Sequence, residues 1–300
     1  MRPDDWHLTA DVGGFLARAR DFLHSRPALH TIPLTVTEAL RTRGPHTYGA
    51  EDPVFGILER AGEIRATYFR TPPHRLNVTP LAPDESDALA AHLAALGLAV
   101  PGVSADRDTA AAFADAWQRH TGATPTLHER QRLYSLGTLT PPGPRPEGRG
   151  RVAGEEDREQ LMRWHGEFVA ALGAVPSTDA GSWADTRIAN GRITFWETPD
   201  GTPVSMAGVT PMVAGQIRVA PVYTPADLRG RGYAGAATVE VSRAAVAAGA
   251  AEVLLFADLA NPTSNGLYQR IGYRPVTDFA VYDFSAHPAD HGRPRVWAIS

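Results

Sequence analysis

The 300-residue sequence contains neither cysteine nor lysine. Without cysteine there is no disulfide framework, thiol nucleophile, iron–sulfur cluster or cysteine-held zinc. Without lysine all 29 basic side chains are arginine. That removes the phosphate-loop lysine, the Schiff-base lysine of pyridoxal chemistry and the strand lysine of protein kinases. Blocks of like charge are missing too: 33 acidic residues leave a formal charge of -4. Nucleic acid and anionic membranes are therefore not expected partners, and the overall charge mildly favours a cationic ligand. The longest weakly polar run, Ala244 to Ala257, is broken by Gly249 and Glu252 and falls short of the roughly 20 residues of a bilayer span. The opening Met1-Arg2-Pro3-Asp4-Asp5-Trp6 has early acids and no signal-peptide core, so a cytoplasmic location is expected. What is present, 43% hydrophobic and 21% charged residues, is the composition of folded protein at a length of about two domains. Heavy Ala and Arg usage suggests a high-GC bacterial source.

Pro141-Pro142-Gly143-Pro144-Arg145-Pro146-Glu147-Gly148 reads as a linker, because proline removes backbone donors and glycine adds freedom. The expected organisation is one domain over residues 1–140, a linker over 141–150 and a second domain over 151–300. In the first, helical spacing at Phe15, Ala19, Phe22 and Leu23 and a short helix near Thr35 to Leu40 precede strands at Val54 to Leu58, Ile64 to Phe69 and Leu76 to Val78. A helix from Asp84 to Leu96, a strand near Leu98 to Val103, a helix from Asp106 to His120 and a strand from Leu127 to Leu139 follow. In the second, a helix bearing Leu161, Trp164, Phe168 and Leu172 leads to a hairpin of Arg192 to Glu197 and Pro203 to Val209. Next come a strand from Gln216 to Tyr223, a helix from Tyr233 to Ala248, a strand from Glu252 to Asp258, a helix from Pro262 to Arg270 and a strand from Tyr273 to Phe284. The same order twice implies two α+β (α/β) layers, each a mixed, mostly antiparallel sheet flanked by helices.

The sharpest motif is Leu228-Arg229-Gly230-Arg231-Gly232-Tyr233-Ala234-Gly235, between a strand and an Ala-rich helix. Glycines allow close backbone approach, and the first-turn N–H groups of the helix converge on an anion such as a diphosphate. Arg229 and Arg231 add positive charge there. Gly230, Gly232 and Gly235 also match the dinucleotide fingerprint G-x-G-x-x-G, with Asp258 at a later strand end, which would suit a nucleotide-dependent oxidoreductase. In that fold the first glycine directly follows a strand in a parallel βαβ unit. Here Thr224 to Leu228 intervene after a meander.

Arg229-x-x-Gly232-x-Ala234, following Val222-Tyr223, resembles the acyl-coenzyme A signature of the GNAT acetyltransferase superfamily. Asn261-Pro262-Thr263-Ser264-Asn265-Gly266-Leu267-Tyr268-Gln269-Arg270-Ile271-Gly272-Tyr273 is similar to the second superfamily segment. The match runs from about Ile193 to Phe284. The first half resembles the superfamily only in element order: its equivalent loop, Leu81-Ala82-Pro83-Asp84-Glu85-Ser86-Asp87, has no glycine and three acids that would repel a diphosphate. The resemblance implies two GNAT-like domains, the second an acetyl-coenzyme A dependent N-acetyltransferase acting on an amine of a small molecule or peptide, as a monomer or homodimer. A non-catalytic acyl-coenzyme A binding protein is the alternative.

The resemblance implies that Val222, Tyr223, Thr224, Arg229, Gly230, Arg231, Gly232, Tyr233, Ala234, Asn261 and Ser264 bind the cofactor. It also implies that Tyr268 protonates the departing thiolate, although on periodicity alone core packing is the stronger reading of Tyr268. Asp258 and Glu197, each at a strand end, are candidate bases, and either could instead cap a turn or pair with arginine. Arg218, Trp164, Trp183 and Trp196 are candidates for the acceptor pocket, with core packing favoured for Trp164. His287-x-x-Asp290-His291 has ligand-like spacing but lies in a Pro-rich tail, so no metal is expected.

Overall fold

The computed structural model describes residues 6–171 and 179–285; the His287 to His291 run lies outside them. In the first half of the chain, β1 is Trp6–Thr9, α1 Val12–His24, α2 Thr31–Arg43, β2 Val54–Arg60, β3 Glu63–Arg70, β4 Leu76–Val78, α3 Pro83–Ala95, β5 Gly102–Asp106, α4 Arg107–Thr121 and β6 Thr124–Leu136. The second half runs β7 Arg149–Val152, α5 Arg158–Ala171, α6 Ala180–Ala189, β8 Ile193–Glu197, β9 Pro203–Val209, β10 Gln216–Tyr223, α7 Tyr233–Ala247, β11 Glu252–Asp258, α8 Pro262–Ile271 and β12 Tyr273–Ser285. Local chemistry sets many of these limits. The β2–β3 hairpin turns on Ala61 and Gly62, both at positive φ, the backbone that matches the twist of its strands. Asp106 caps α4 by accepting from the Thr109 N–H, and left-handed Gly122 closes it.

The chain forms two compact units, and neither is a continuous stretch. Among the described residues, unit 1 takes 6–11, 53–130 and 279–285, and unit 2 takes 12–52, 131–171 and 179–278. Unit 1 has the strand order β1-β2-β3-β4-β5-β12, and unit 2 has β6-β11-β10-β9-β8-β7. β4–β5 and β10–β11 pair in parallel. Each unit receives its last strand from the other half of the chain: Phe279–Asp283 of β12 pairs antiparallel with β5, and Gln131–Ser135 of β6 pairs antiparallel with β11. Helices α1 and α2 also belong to unit 2. The division at 141–150 drawn from composition thus differs from the compact units, because strand pairing rather than linker composition assembles them.

The Pro-rich run is not a free tether. Arg145 bonds Glu240 of α7 at 3.2 Å and lies 4.9 Å from the Trp196 ring centroid, and Trp196 Nε1 donates to the Glu147 carbonyl. Unit 1 is centred on Tyr68, Leu89, Phe113 and Trp117. In unit 2, Ala237 and Val241 of α7 share one core with Ile217 of β10, while Leu161 and Trp164 of α5 share another with Phe195 of β8 and Tyr223 of β10.

Candidate functional site

In unit 2, β10 and β11 pair only from Gln216 to Arg218 against Glu252 to Leu254. Beyond that point Val219–Tyr223 runs with β9, through a register shift between Val219 and Val222, and Leu255–Asp258 runs with β6. A wedge opens between two adjacent parallel strands, and its backbone amides lack ladder partners across the gap. Such an opening suits an extended ligand arm that carries amides of its own.

At the end of β10 the chain enters the glycine loop. Gly232, at φ +83°, is the left-handed N-cap of α7 and supplies no side-chain cap, so the first-turn donors of α7 are left for a ligand. A Cβ added at Gly230 would meet no atom within 4 Å. Arg229 and Arg231 brace the loop by donating to the carbonyls of Thr224 and Asp227. Thr224 in turn shares a 2.8 Å hydrogen bond with Ser205. These features fit a diphosphate and its arm.

The second motif folds as α8. Asn261 is its N-cap, its Oδ1 accepting from the Ser264 N–H at 3.0 Å, so at least one of its groups is used by the helix itself. Gly272 ends the helix at φ +111°, where a Cβ would lie 2.0 Å from the Thr138 carbonyl oxygen; no other residue fits. Tyr268 is buried in the cluster that contains Leu255 and Ala257 of β11 and, at its margin, Val222 and Tyr233. Its ring stands edge-on to Tyr273, and its hydroxyl has no hydrogen-bond partner among the described residues. Burial pushes the phenol up to about 12, so it carries its proton at neutral pH.

The structure therefore gathers Val222, Tyr223, Thr224, Arg229 to Ala234, Asn261, Ser264 and Tyr268 at one end of unit 2. The candidate bases fare differently. Asp258 ends β11 with its carboxylate accepting from the Ala260 N–H, a turn cap. Glu197 lies on β8, two strands from β10, and is held by Arg151 and Arg149. Its carboxylate is thereby engaged in ion pairs on the strand.

Of the proposed acceptor residues, Trp196 is fully buried in the α7-side core and Trp164 in the α5-side core. Trp183 stacks on His165 at 4.1 Å. Arg218 is the last paired residue before the wedge. Sequence reasoning missed α6, and it missed that Thr31 of α2 reaches this sheet, accepting from Arg218 and donating to Gln216. It also missed Glu167, which accepts the Tyr223 hydroxyl at 2.6 Å. No periodicity in the sequence joins positions so far apart.

Residues 211–280 match the FR47-like protein family. That span holds the wedge, the glycine loop and α8. A GCN5-related N-acetyltransferase from Sphaerobacter thermophilus superposes with a TM-score of 0.62 at 18% identity, over 94% of this chain and 96% of its own. By fold, the chain is similar to GNAT acetyltransferases. A GNAT-family acetyltransferase from Colwellia psychrerythraea gives 0.59 at 10% identity, over 93% of this chain and 99% of that one. A tandem GNAT protein from the clavulanic acid biosynthesis pathway gives 0.58 at 14%, over 95% and 100%. Among curated proteins no sequence matches. The two units of this chain are not equivalent. Where unit 2 opens its glycine loop, unit 1 has Pro83 opening α3, and Glu85 accepts from the Ala82 N–H. Thr109 ties Leu81 to α4 through both its N–H and its carbonyl. At this helix start unit 1 thus places a proline and an acid where unit 2 has glycines and arginines.

Proposed function

We propose that unit 2 is an acetyl-coenzyme A dependent N-acetyltransferase acting on an amine of a small molecule or peptide, with unit 1 chemically silent. The observation that carries this reading is the wedge between β10 and β11 leading directly into the uncapped start of α7. The Arg229 to Ala234 loop would hold the diphosphate, and the β10 backbone at Val222 to Thr224 would run beside the pantetheine arm, with Asn261 and Ser264 across from it. Coenzyme A supplies the activated acyl group. Tyr268 holds a proton at Oη and delivers it to the leaving sulfur. Glu197 is held in ion pairs and Asp258 has one carboxylate oxygen on the Ala260 N–H, so the acceptor amine would lose its proton to Asp258 or to water, or arrive neutral.

Replacing Ala234 by Glu tests the site. A carboxylate in the first turn favours the helix itself, so folding is preserved, while it repels a diphosphate. Calorimetry should give one coenzyme A per wild-type chain and a dissociation constant at least tenfold higher for Ala234→Glu. Equal affinity would end the assignment. The turn-capping and ion-paired states of Asp258 and Glu197 favour a second reading, an acyl-coenzyme A binding protein without turnover. Tight binding with no acyl transfer to any of a broad amine panel would select it.

A further inference from the structure

Arg218 points away from α7, on the same side of β10 as Gln216, and stands where the β10–β11 ladder ends. Its Nη1 donates to Thr31 of α2 at 3.1 Å, and its guanidinium lies 6.0 Å from the Phe256 ring. Three further arginines come to the same place. Arg187 of α6 donates to the Val209 carbonyl at the end of β9. The Arg192 N–H donates to the Arg187 carbonyl, and the Arg192 carbonyl accepts from the Val209 N–H. The next residue, Thr210, bonds the backbone of Arg218 through both its N–H and its hydroxyl. Arg43, at the end of α2, lies over Tyr48 and is exposed, whereas Arg187, Arg192 and Arg218 are half-buried.

The charged groups that act on Arg187 are Arg192, Arg218, Arg43 and the Tyr48 phenol, and burial with those cations pushes it down to about 10. Arg218 is likewise pushed down to about 10 by burial. Both remain cationic at neutral pH. Among the described residues no carboxylate pairs with Arg187, Arg192 or Arg218. Elsewhere in the unit, arginines at comparable depth are paired: Arg132 with Asp278 and Arg151 with Asp157 and Glu197. Buried like charges without counter-ions are costly, so this cluster is built for an anion that arrives from outside. A second orphan lies beside it. Gln216 is fully buried, its Oε1 accepts from the same Thr31 hydroxyl, and its Nε2 donor has no partner.

We propose that this cluster is an oxyanion-binding site at the mouth of the wedge, and that the acceptor amine also bears a carboxylate or phosphate held by Arg187, Arg192 and Arg218. Guanidinium forks match either group bidentately. Its role as the acceptor site rests on the acyltransferase reading above; the binding of an anion there does not. The local charge reverses the expectation drawn from the whole-chain charge of -4.

The test titrates sodium phosphate and sodium acetate, at constant ionic strength, into the full chain by calorimetry and thermal shift. Ala234→Glu closes the glycine loop to anions, so a site surviving in that variant belongs to the cluster. We expect that variant to keep one site. Adding Arg218→Gln or Arg192→Gln should weaken it at least tenfold. The Arg192 side chain makes no hydrogen bond among the described residues, so Arg192→Gln keeps the test informative even if Arg218→Gln folds poorly. Melting temperature without anion should stay level or rise in Arg192→Gln, because a repulsive charge is removed. Preference for acetate or for phosphate identifies the group carried by the acceptor, and either supports the site. Absence of anion binding in Ala234→Glu, or binding that both arginine variants leave unchanged, overturns it. If the cluster binds anion while the wild-type chain takes up no coenzyme A, the acyltransferase reading fails and the anion site stands. If acyl transfer proceeds and Arg218→Gln leaves the acceptor KM untouched, the acceptor assignment fails instead.

Discussion

Tyr268 places a packed ring and an unpartnered hydroxyl in one side chain, and the two can be separated. Tyr268→Phe retains the edge-on contact with Tyr273 and deletes only the hydroxyl. General acid chemistry contributes about 10²- to 10⁴-fold, so kcat should fall by that range while coenzyme A affinity holds. Steady-state rates at saturating acetyl-coenzyme A, with binding measured separately, check this. A kcat within about threefold of the parent would make the tyrosine a packing residue, provided chemistry limits turnover. The two motifs that single out Tyr268 and Gly232 were legible in the sequence because glycine at positive φ and an Asn-Pro helix start leave local signatures. The arginine cluster was not legible. Its members are spread from Arg43 to Arg218, and only the fold shows that no carboxylate meets them.

Helices α1 and α2 act as a pair whose junction titrates. His30 precedes α2, stacks on Phe22 of α1 at 4.8 Å and donates Nδ1–H to the Leu23 carbonyl at 3.0 Å. Burial holds it below the usual histidine value, and His165 is lowered in the same way, with Arg187 adding to the effect. Below about pH 6.5 the unfolded chain takes up protons that the folded chain refuses, so stability present at neutral pH is lost as pH falls from there through the folded values. Each group contributes a slope of at most about 1.4 kcal/mol per pH unit. Urea unfolding at pH 7.5, 6.5 and 5.5 should show this decline, and His165→Gln should make it shallower. A flat profile would mean that neither histidine is shielded. At this scale the sequence was most readable where both faces of an element are packed: β10 and β11 have the limits that their hydrophobic patterns give. It was least readable for α6 and for the short edge strand β7, whose four residues carry too little pattern to register. The Pro-rich run misled because composition reports freedom in isolation. Arg145 and Trp196 dock it in place.

Across the whole molecule, the strand exchange makes each unit depend on distant chain. A fragment of residues 151–300 would lack β6 and the α1–α2 pair, leaving the β11 edge bare and the Arg218 side of β10 uncovered. Such edges and apolar faces aggregate. We expect that fragment, and the complementary 1–150, to be insoluble when made alone and to yield a soluble 1:1 complex when co-expressed; size-exclusion chromatography distinguishes the outcomes. A soluble, fully active 151–300 fragment would refute the dependence. The exchange also bears on synthesis. Strand β5 ends at Asp106 and awaits a partner that begins at Phe279, so about 170 further residues must leave the ribosome first. At about 5–20 residues per second that is roughly 9 to 35 s with an open sheet edge. The order in which the polypeptide emerges thus leaves the first unit in need of shelter until translation has nearly run its course, and a nonsense codon before residue 279 would deprive the first-made unit of its closing strand.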